Sequence, residues 1–416
     1  MRSVLCTRCA CACDDLDLVV SADRVLEARH ACATGREAFL APRQERAPEA
    51  LVRGEPAAAD AALTAAAELL QSAHRPLVWG LLRLSCEAQR FAVAVADRLG
   101  AAIDPAAGPN HPAAVAAFQE WGEVSASVGE VALQRGLVVL WLCDPARTHP
   151  RLLERWGVSS PDDSRVLRLH RGDGAATADP GWSVPAGREV DLLWLLREAA
   201  RGARATESDE GGAGLRRLAQ RLLERLRAAP YVLFVFDAPA AGPTEQHALR
   251  ATVATLNSVT RVRLFPLRAP GNRVGAEAVL TWQTGFPVAV SFAAGHPASN
   301  GAEFSAARLL ASGGVDAALV LCASPAEVPA EPELGRLAEV PRVVLDSEPN
   351  PLAEGAAVAL RSAPYGIASG GTVFRMDGVA LPLRPAISSR YPSEEAWLAR
   401  LLERLPPREA RRRSTA

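Results

Sequence analysis

Four cysteines crowd into the segment Cys6-Thr7-Arg8-Cys9-Ala10-Cys11-Ala12-Cys13. Cys6, Cys9 and Cys13 form a C-x2-C-x3-C pattern, and Cys32 follows in Ala31-Cys32-Ala33-Thr34-Gly35. Thiolates are soft ligands that suit iron–sulfur clusters or zinc. Three thiolates on a tight loop and a fourth from a later segment can enclose a cubane cluster. Zinc sites more often use paired C-x2-C elements, and this stretch has a single such pair. A [4Fe–4S] cluster on Cys6, Cys9, Cys13 and Cys32 is the first reading; zinc or metal-free thiols are the alternatives. Cys11 is either a bystander or an alternative ligand. Cys86, Cys143 and Cys322 stand singly in apolar surroundings and read as small buried hydrophobes.

Other catalytic patterns are missing. No G-x-S-x-G elbow marks a serine nucleophile, and no H-x-H or HExxH pattern marks a zinc hydrolase. The turn Ser369-Gly370-Gly371 could cradle a phosphate but reads better as an ordinary tight turn.

The elements that must position these residues alternate between two patterns. Short apolar runs recur at Pro76-Leu77-Val78-Trp79, Leu137-Val138-Val139-Leu140-Trp141-Leu142, Tyr231-Val232-Leu233-Phe234-Val235-Phe236, Ala318-Leu319-Val320-Leu321 and Val343-Val344-Leu345-Asp346. Runs that are apolar throughout are those of parallel strands buried on both faces. Between them lie stretches with helical spacing, such as about 57–72 and 87–99. Strands separated by helices predict α/β layers, with ligands at the carboxyl edge of the sheet. Residues 202–214 read as a Gly-rich acidic surface loop, and 407–416 as an arginine-rich tail.

The bulk properties narrow the class. A length of 416 residues predicts two to three domains at about 150 residues each. The net charge of −1 gives no electrostatic case for nucleic acid or an anionic membrane. All 46 basic residues are arginine. The N-terminus lacks the apolar core of a signal peptide, and no long uncharged apolar stretch predicts a membrane span. A cytoplasmic protein is expected, in which clustered cysteines serve metals rather than disulfides.

Taken in order, the motifs resemble those of the B subunit of formylmethanofuran dehydrogenase, whose bacterial relatives belong to a formyltransferase/hydrolase complex. The resemblance starts with Cys6, Cys9, Cys13-Asp14-Asp15 and Cys32. It runs through Ser85-Cys86-Glu87-Ala88-Gln89, His111-Pro112, Phe118-Gln119, Val128-Gly129-Glu130-Val131, Trp141-Leu142-Cys143-Asp144-Pro145 and His149-Pro150-Arg151. It ends with Leu280-Thr281-Trp282-Gln283-Thr284-Gly285-Phe286-Pro287 and Gly371-Thr372-Val373-Phe374-Arg375-Met376-Asp377-Gly378. The set covers most of residues 1–390.

This resemblance implies a molybdopterin-oxidoreductase-like α/β fold: a small Cys-rich domain, then two Rossmann-like domains that the chain crosses between more than once, without the C-terminal β-barrel domain. The expected division is 1–52 for the Cys-rich domain, with about 361–390 returning to it. The first α/β domain takes 53–112 and 275–360, the second takes 113–274, and 391–416 form a C-terminal helix and tail. Dehydrogenase members hold a tungsten or molybdenum bis-pterin, ligated by a protein thiolate just ahead of a histidine. Here that loop reads Ala107-Gly108-Pro109-Asn110-His111-Pro112, so Asn110 stands at the ligand position. A neutral amide oxygen does not replace a soft thiolate. Asn110, His111 and Arg268, which falls at a family active-site arginine, therefore read as a vestigial site, and the metal bis-pterin is expected to be absent. His149 and Arg151 read as structural.

The implied function is a non-redox assembly subunit of a formyltransferase/hydrolase complex that converts formyl-tetrahydromethanopterin to formate through a methanofuran-type carrier. Its partners would be an amidohydrolase-like A subunit, a C subunit and a formyltransferase D subunit. The alternative is an active tungsten or molybdenum dehydrogenase subunit interconverting CO2 and formylmethanofuran.

Overall fold

The computed structural model describes residues 1–21, 23–41, 47–106, 108, 110–158, 160, 163–172, 182–202, 213–322, 335–348 and 350–407. Most of the acidic loop and the arginine-rich tail read from the sequence lie outside these residues. The chain divides into two compact units. The first comprises Met1–Ala107, Pro270–Arg375 and Ala380–Ala416; the second comprises Gly108–Ala269 and Met376–Val379. The segment 1–52 lies in the first unit together with the α/β segments that follow it.

The strands in chain order begin with β1 (Asp17–Ser21), β2 (Arg24–Arg29), β3 (Ala50–Val52), β4 (Glu55–Pro56), β5 (Pro76–Trp79) and β6 (Ala102–Asp104). They continue with β7 (Leu137–Trp141), β8 (Val166–Arg171), β9 (Ser183–Val184), β10 (Val232–Asp237), β11 (Val262–Leu267) and β12 (Val290–Ser291). The last are β13 (Ala298–Ser299), β14 (Ala317–Leu321), β15 (Arg342–Asp346), β16 (Val358–Arg361), β17 (Gly371–Phe374) and β18 (Ala380–Leu383). Helices of seven or more residues are numbered α1 (Ala33–Leu40), α2 (Ala59–Ser72), α3 (Cys86–Leu99), α4 (His111–Trp121) and α5 (Val128–Gln134). They continue as α6 (Glu189–Ala200), α7 (Ala213–Arg227), α8 (Pro243–Leu256), α9 (Arg273–Thr284) and α10 (Glu394–Arg404).

In the first unit the sheet runs β13-β12-β6-β5-β14-β15-β16-β3-β4. Its centre, β6 to β16, is parallel, and antiparallel strands extend both ends. The apolar runs have their cause here. Val78 joins the core on one face of β5, while Leu77 and Trp79 join the core on the other. A strand covered on both faces has no position for a polar residue. α3 starts at Ser85, whose hydroxyl accepts from the Ala88 amide, and stops at Gly100 in the left-handed region (φ 67°). α10 packs on α3 and places Trp397, Leu398 and Leu401 in the same core.

The second unit has a parallel sheet in the order β11-β10-β7-β8-β9. α8 packs against both α4 and α6. Three strands of this sheet, β8, the two-residue β9 and β11, were not legible in the sequence. In β8 buried Leu167 and Leu169 alternate with less buried positions, so the continuous-run signal fails. β11 contains Pro266, which a sheet accepts because β11 is its edge strand.

No helix among the described residues is long and apolar enough to cross a membrane.

Candidate functional site

The cysteine segment is a hairpin-like loop closed by the Val4–Leu16 bridge. Inside it the Cys6 amide donates to the Cys13 carbonyl at 2.8 Å, and the Ala12 amide donates to the Cys9 carbonyl at 3.2 Å. Cys32 arrives separately as the residue that starts α1. Cys6 and Cys32 then meet over Gly35: a Cβ added there would lie 3.3 Å from Cys6 Sγ and 3.7 Å from Cys32 Sγ. The fold thus places Cys9, Cys13 and Cys32 within electrostatic reach of Cys6.

Electrostatics within the loop are uneven. Burial pushes the Cys6 thiol up to about 12, and the neighbouring sulfurs of Cys9, Cys13 and Cys32 work the same way. A hydrogen bond from Cys11 holds Cys9 below the usual thiol range. Cys11 is fully buried and bonds to both Cys13 and Cys9, which pushes its own thiol upward. The choice left open by the sequence is thereby sharpened: Cys11 bridges two candidate ligands.

The loop is tied down by charge. Arg8 donates to Glu348 at 3.2 Å, and Glu348 also pairs at 2.7 Å with Arg83, a largely buried arginine just after β5. Arg375 approaches Asp14 at 3.9 Å.

Among the described residues, no three His, Cys, Asp or Glu side chains are arranged to hold a single metal ion. A [4Fe–4S] cluster asks something different, one thiolate for each iron at its own corner. Four soft donors, the space left by Gly35 and the absence of a competing disulfide among the cysteines fit that demand.

Asn110, His111 and Arg268 fall in the second unit. Asn110 precedes α4 without capping it; its Nδ2 donates instead to the Pro239 carbonyl at 3.1 Å. His111 is buried at the first position of α4. Arg268 follows β11, and Pro239 follows β10, its parallel neighbour. Both anchor points therefore sit at the carboxyl edge of one sheet. The Arg268 carbonyl accepts from His149 Nε2 at 3.1 Å, so His149 Nδ1 is left to accept from the Thr148 hydroxyl at 2.8 Å. Burial pushes His149 down to about 4. It is a neutral structural histidine, as its sequence context suggests. Arg151 pairs with Glu154 at 3.0 Å.

The Ser369-Gly370-Gly371 turn holds a carboxylate from its own chain. Glu87 accepts from the Thr372 amide and hydroxyl, each at 2.8 Å. A Cβ on Gly371, at φ 130°, would lie 2.5 Å from Glu87 Oε2. This is a tight turn closed on Glu87.

One cavity was not singled out from the sequence. It has a volume of about 780 Å³ at the carboxyl ends of β7 and β8, with Cys143, Asp144, Arg147, Arg168 and Arg171 in its wall. The Cys143-Asp144-Pro145 break after a buried strand was its only sequence signal. Cys86 and Cys322 are buried, as expected, whereas Cys143 is half-buried.

No protein-family model matches the chain. It is similar to the B subunit of tungsten-containing formylmethanofuran dehydrogenase 2 from Methanocaldococcus jannaschii, with 28% identity over 93% of this chain and 94% of that one. It is also similar to the B subunit of the formyltransferase/hydrolase complex Fhc from Methylorubrum extorquens, with 29% identity over 67% of this chain and 76% of that one. Among solved structures it resembles a chain of the FhcABCD complex from Methylorubrum extorquens bound to methylofuran. That match has a TM-score of 0.70 and 28% identity, covering 86% of this chain and 98% of the other. Acetylene hydratase from Pelobacter acetylenicus matches at TM-score 0.63 and 13% identity, over 98% of this chain and 70% of the other, a likeness of fold alone. The chain is thus a homologue of these B subunits, with a mixed α/β fold like those of the FhcABCD chain and acetylene hydratase.

Proposed function

We propose that the chain is a non-redox assembly subunit of a cytoplasmic formyltransferase/hydrolase complex, which passes a formyl group from tetrahydromethanopterin to a methanofuran-type carrier and releases formate. Its partners in this reading are an amidohydrolase-like A subunit, a C subunit and a formyltransferase D subunit. The observation that carries it is Asn110. At the position where a redox metal would need a soft thiolate there is a neutral amide, and its N–H is engaged by the Pro239 carbonyl. In this reading the residues present do not fit a tungsten or molybdenum bis-pterin. The likeness to a complex bound to methylofuran supports the choice of carrier.

Cys6, Cys9, Cys13 and Cys32 hold an iron–sulfur cluster in this proposal. Such a cluster supplies one-electron transfer where a redox partner exists; here its work is to fasten the N-terminal loop to α1. The second reading, an active dehydrogenase subunit, draws on the alignment with dehydrogenase B subunits along nearly the whole chain and on the same four cysteines.

The two readings separate in one assay. The complex purified with its partners is expected to transfer and hydrolyse formyl groups without reducing a viologen dye from formylmethanofuran. Formylmethanofuran-dependent dye reduction that disappears with this subunit would overturn the proposal.

A further inference from the structure

α4 and α8 run side by side in the second unit and are joined at three levels. Asn110 reaches Pro239 ahead of α8, Trp121 at the end of α4 meets His247, and Glu123 pairs with Arg250 at 2.8 Å. The middle level holds a conflict. Trp121 Nε1–H donates to His247 Nε2 at 2.9 Å. The Glu120 carboxylate stands 3.1 Å from the same nitrogen. An indole N–H only donates, and an ionised carboxylate only accepts. A single imidazole nitrogen cannot serve both: without a proton it accepts from Trp121 and faces the lone pairs of Glu120, and with a proton it donates to Glu120 and confronts the indole hydrogen.

We infer that His247 is a proton-driven switch at the end of α4, holding Trp121 when neutral and exchanging it for Glu120 when protonated. Its surroundings leave few other groups to absorb the change. From α6, the Arg197 guanidinium lies 4.9 Å from the Trp121 ring and 5.1 Å from the Trp194 ring, and Trp194 itself lies 6.0 Å from His247. On α8 itself, Glu245 accepts from Trp141 Nε1 at 2.8 Å, and Arg250 is held by Glu123. Losing the indole bond loosens α4 from α8, and α4 is the helix that begins at Asn110 and His111.

The test uses the full chain in its complex, with 15N-labelled tryptophan and the Trp121 indole signal assigned through Trp121→Phe. Between pH 8 and 5 that signal is expected to move in one titration. Hydrogen exchange in α4, corrected for intrinsic rates, should rise toward pH 5. Glu120 is exposed, so Glu120→Gln should leave the fold intact and move the midpoint down by about 0.2–0.7 pH unit, the size of a surface ion pair. His247→Gln should abolish the titration. A Trp121 signal that stays still, a midpoint unchanged in Glu120→Gln, or a titration that survives His247→Gln would each overturn the inference.

Discussion

The cysteine loop and the Asn110 loop pose the same chemical question and answer it differently. In the function proposed above, both lie where a soft metal would have to find thiolates. The first offers five cysteines: two meet over a glycine, and the other three are linked by hydrogen bonds. The second offers an amide bound to a carbonyl, a buried histidine and an arginine whose own carbonyl is capped by His149. One region gathers a set of soft donors, and the other is hydrogen-bonded structure without a thiol among the residues named.

The largest effect should come from the cysteine loop. Cys6→Ser combined with Cys9→Ser is expected to drop iron to background in the anaerobically purified complex and to remove hydrogen-exchange protection from residues 1–40. Metal binding of this kind is folding free energy for the segment it closes. Unchanged iron would erase the contrast.

The Asn110 edge should respond to protons instead. His149 sits at about 4, below the ordinary histidine value of about 6.5. Between those values the unfolded chain binds the proton and the folded one does not. Stability is therefore full above about pH 6.5 and lost as the pH falls toward 4, by about 3 kcal/mol in all. Denaturant titrations across that window should show the slope, and His149→Gln should flatten it.

A smaller change sharpens the first region. Gly35→Ala places a methyl 3.3 Å from Cys6 Sγ. Overpacking of that kind costs about 1–3 kcal/mol and should weaken iron retention against a chelator, which a release time course would show. The smallest effect is expected at Asn110. Asn110→Ala removes one exposed hydrogen bond, worth about 1 kcal/mol, and should leave formyl transfer unchanged. A large loss of transfer would mean that this edge still works.

Much of this contrast was readable before the structure, and its limits have physical causes. β5, β7, β10, β14 and β15 announced themselves because burial on both faces forces unbroken apolar runs. The cysteine spacing marked four candidate ligands, and the fold places Cys9, Cys13 and Cys32 within electrostatic reach of Cys6. The bridging place of Cys11 was not legible, since sequence order says nothing about which way a thiol turns. Nor was the grip of Glu87 on the turn at Gly371, a contact made across most of the chain. The cavity stayed hidden because its wall joins residues after β7 to residues of β8, and β8 carries an alternating pattern.

The most direct test is to count iron, zinc, tungsten and molybdenum per chain in the complex purified anaerobically with its native partners. The account predicts about four irons per chain with neither tungsten nor molybdenum. Near-stoichiometric tungsten or molybdenum would contradict it and direct the search to whatever replaces the thiolate beside Asn110.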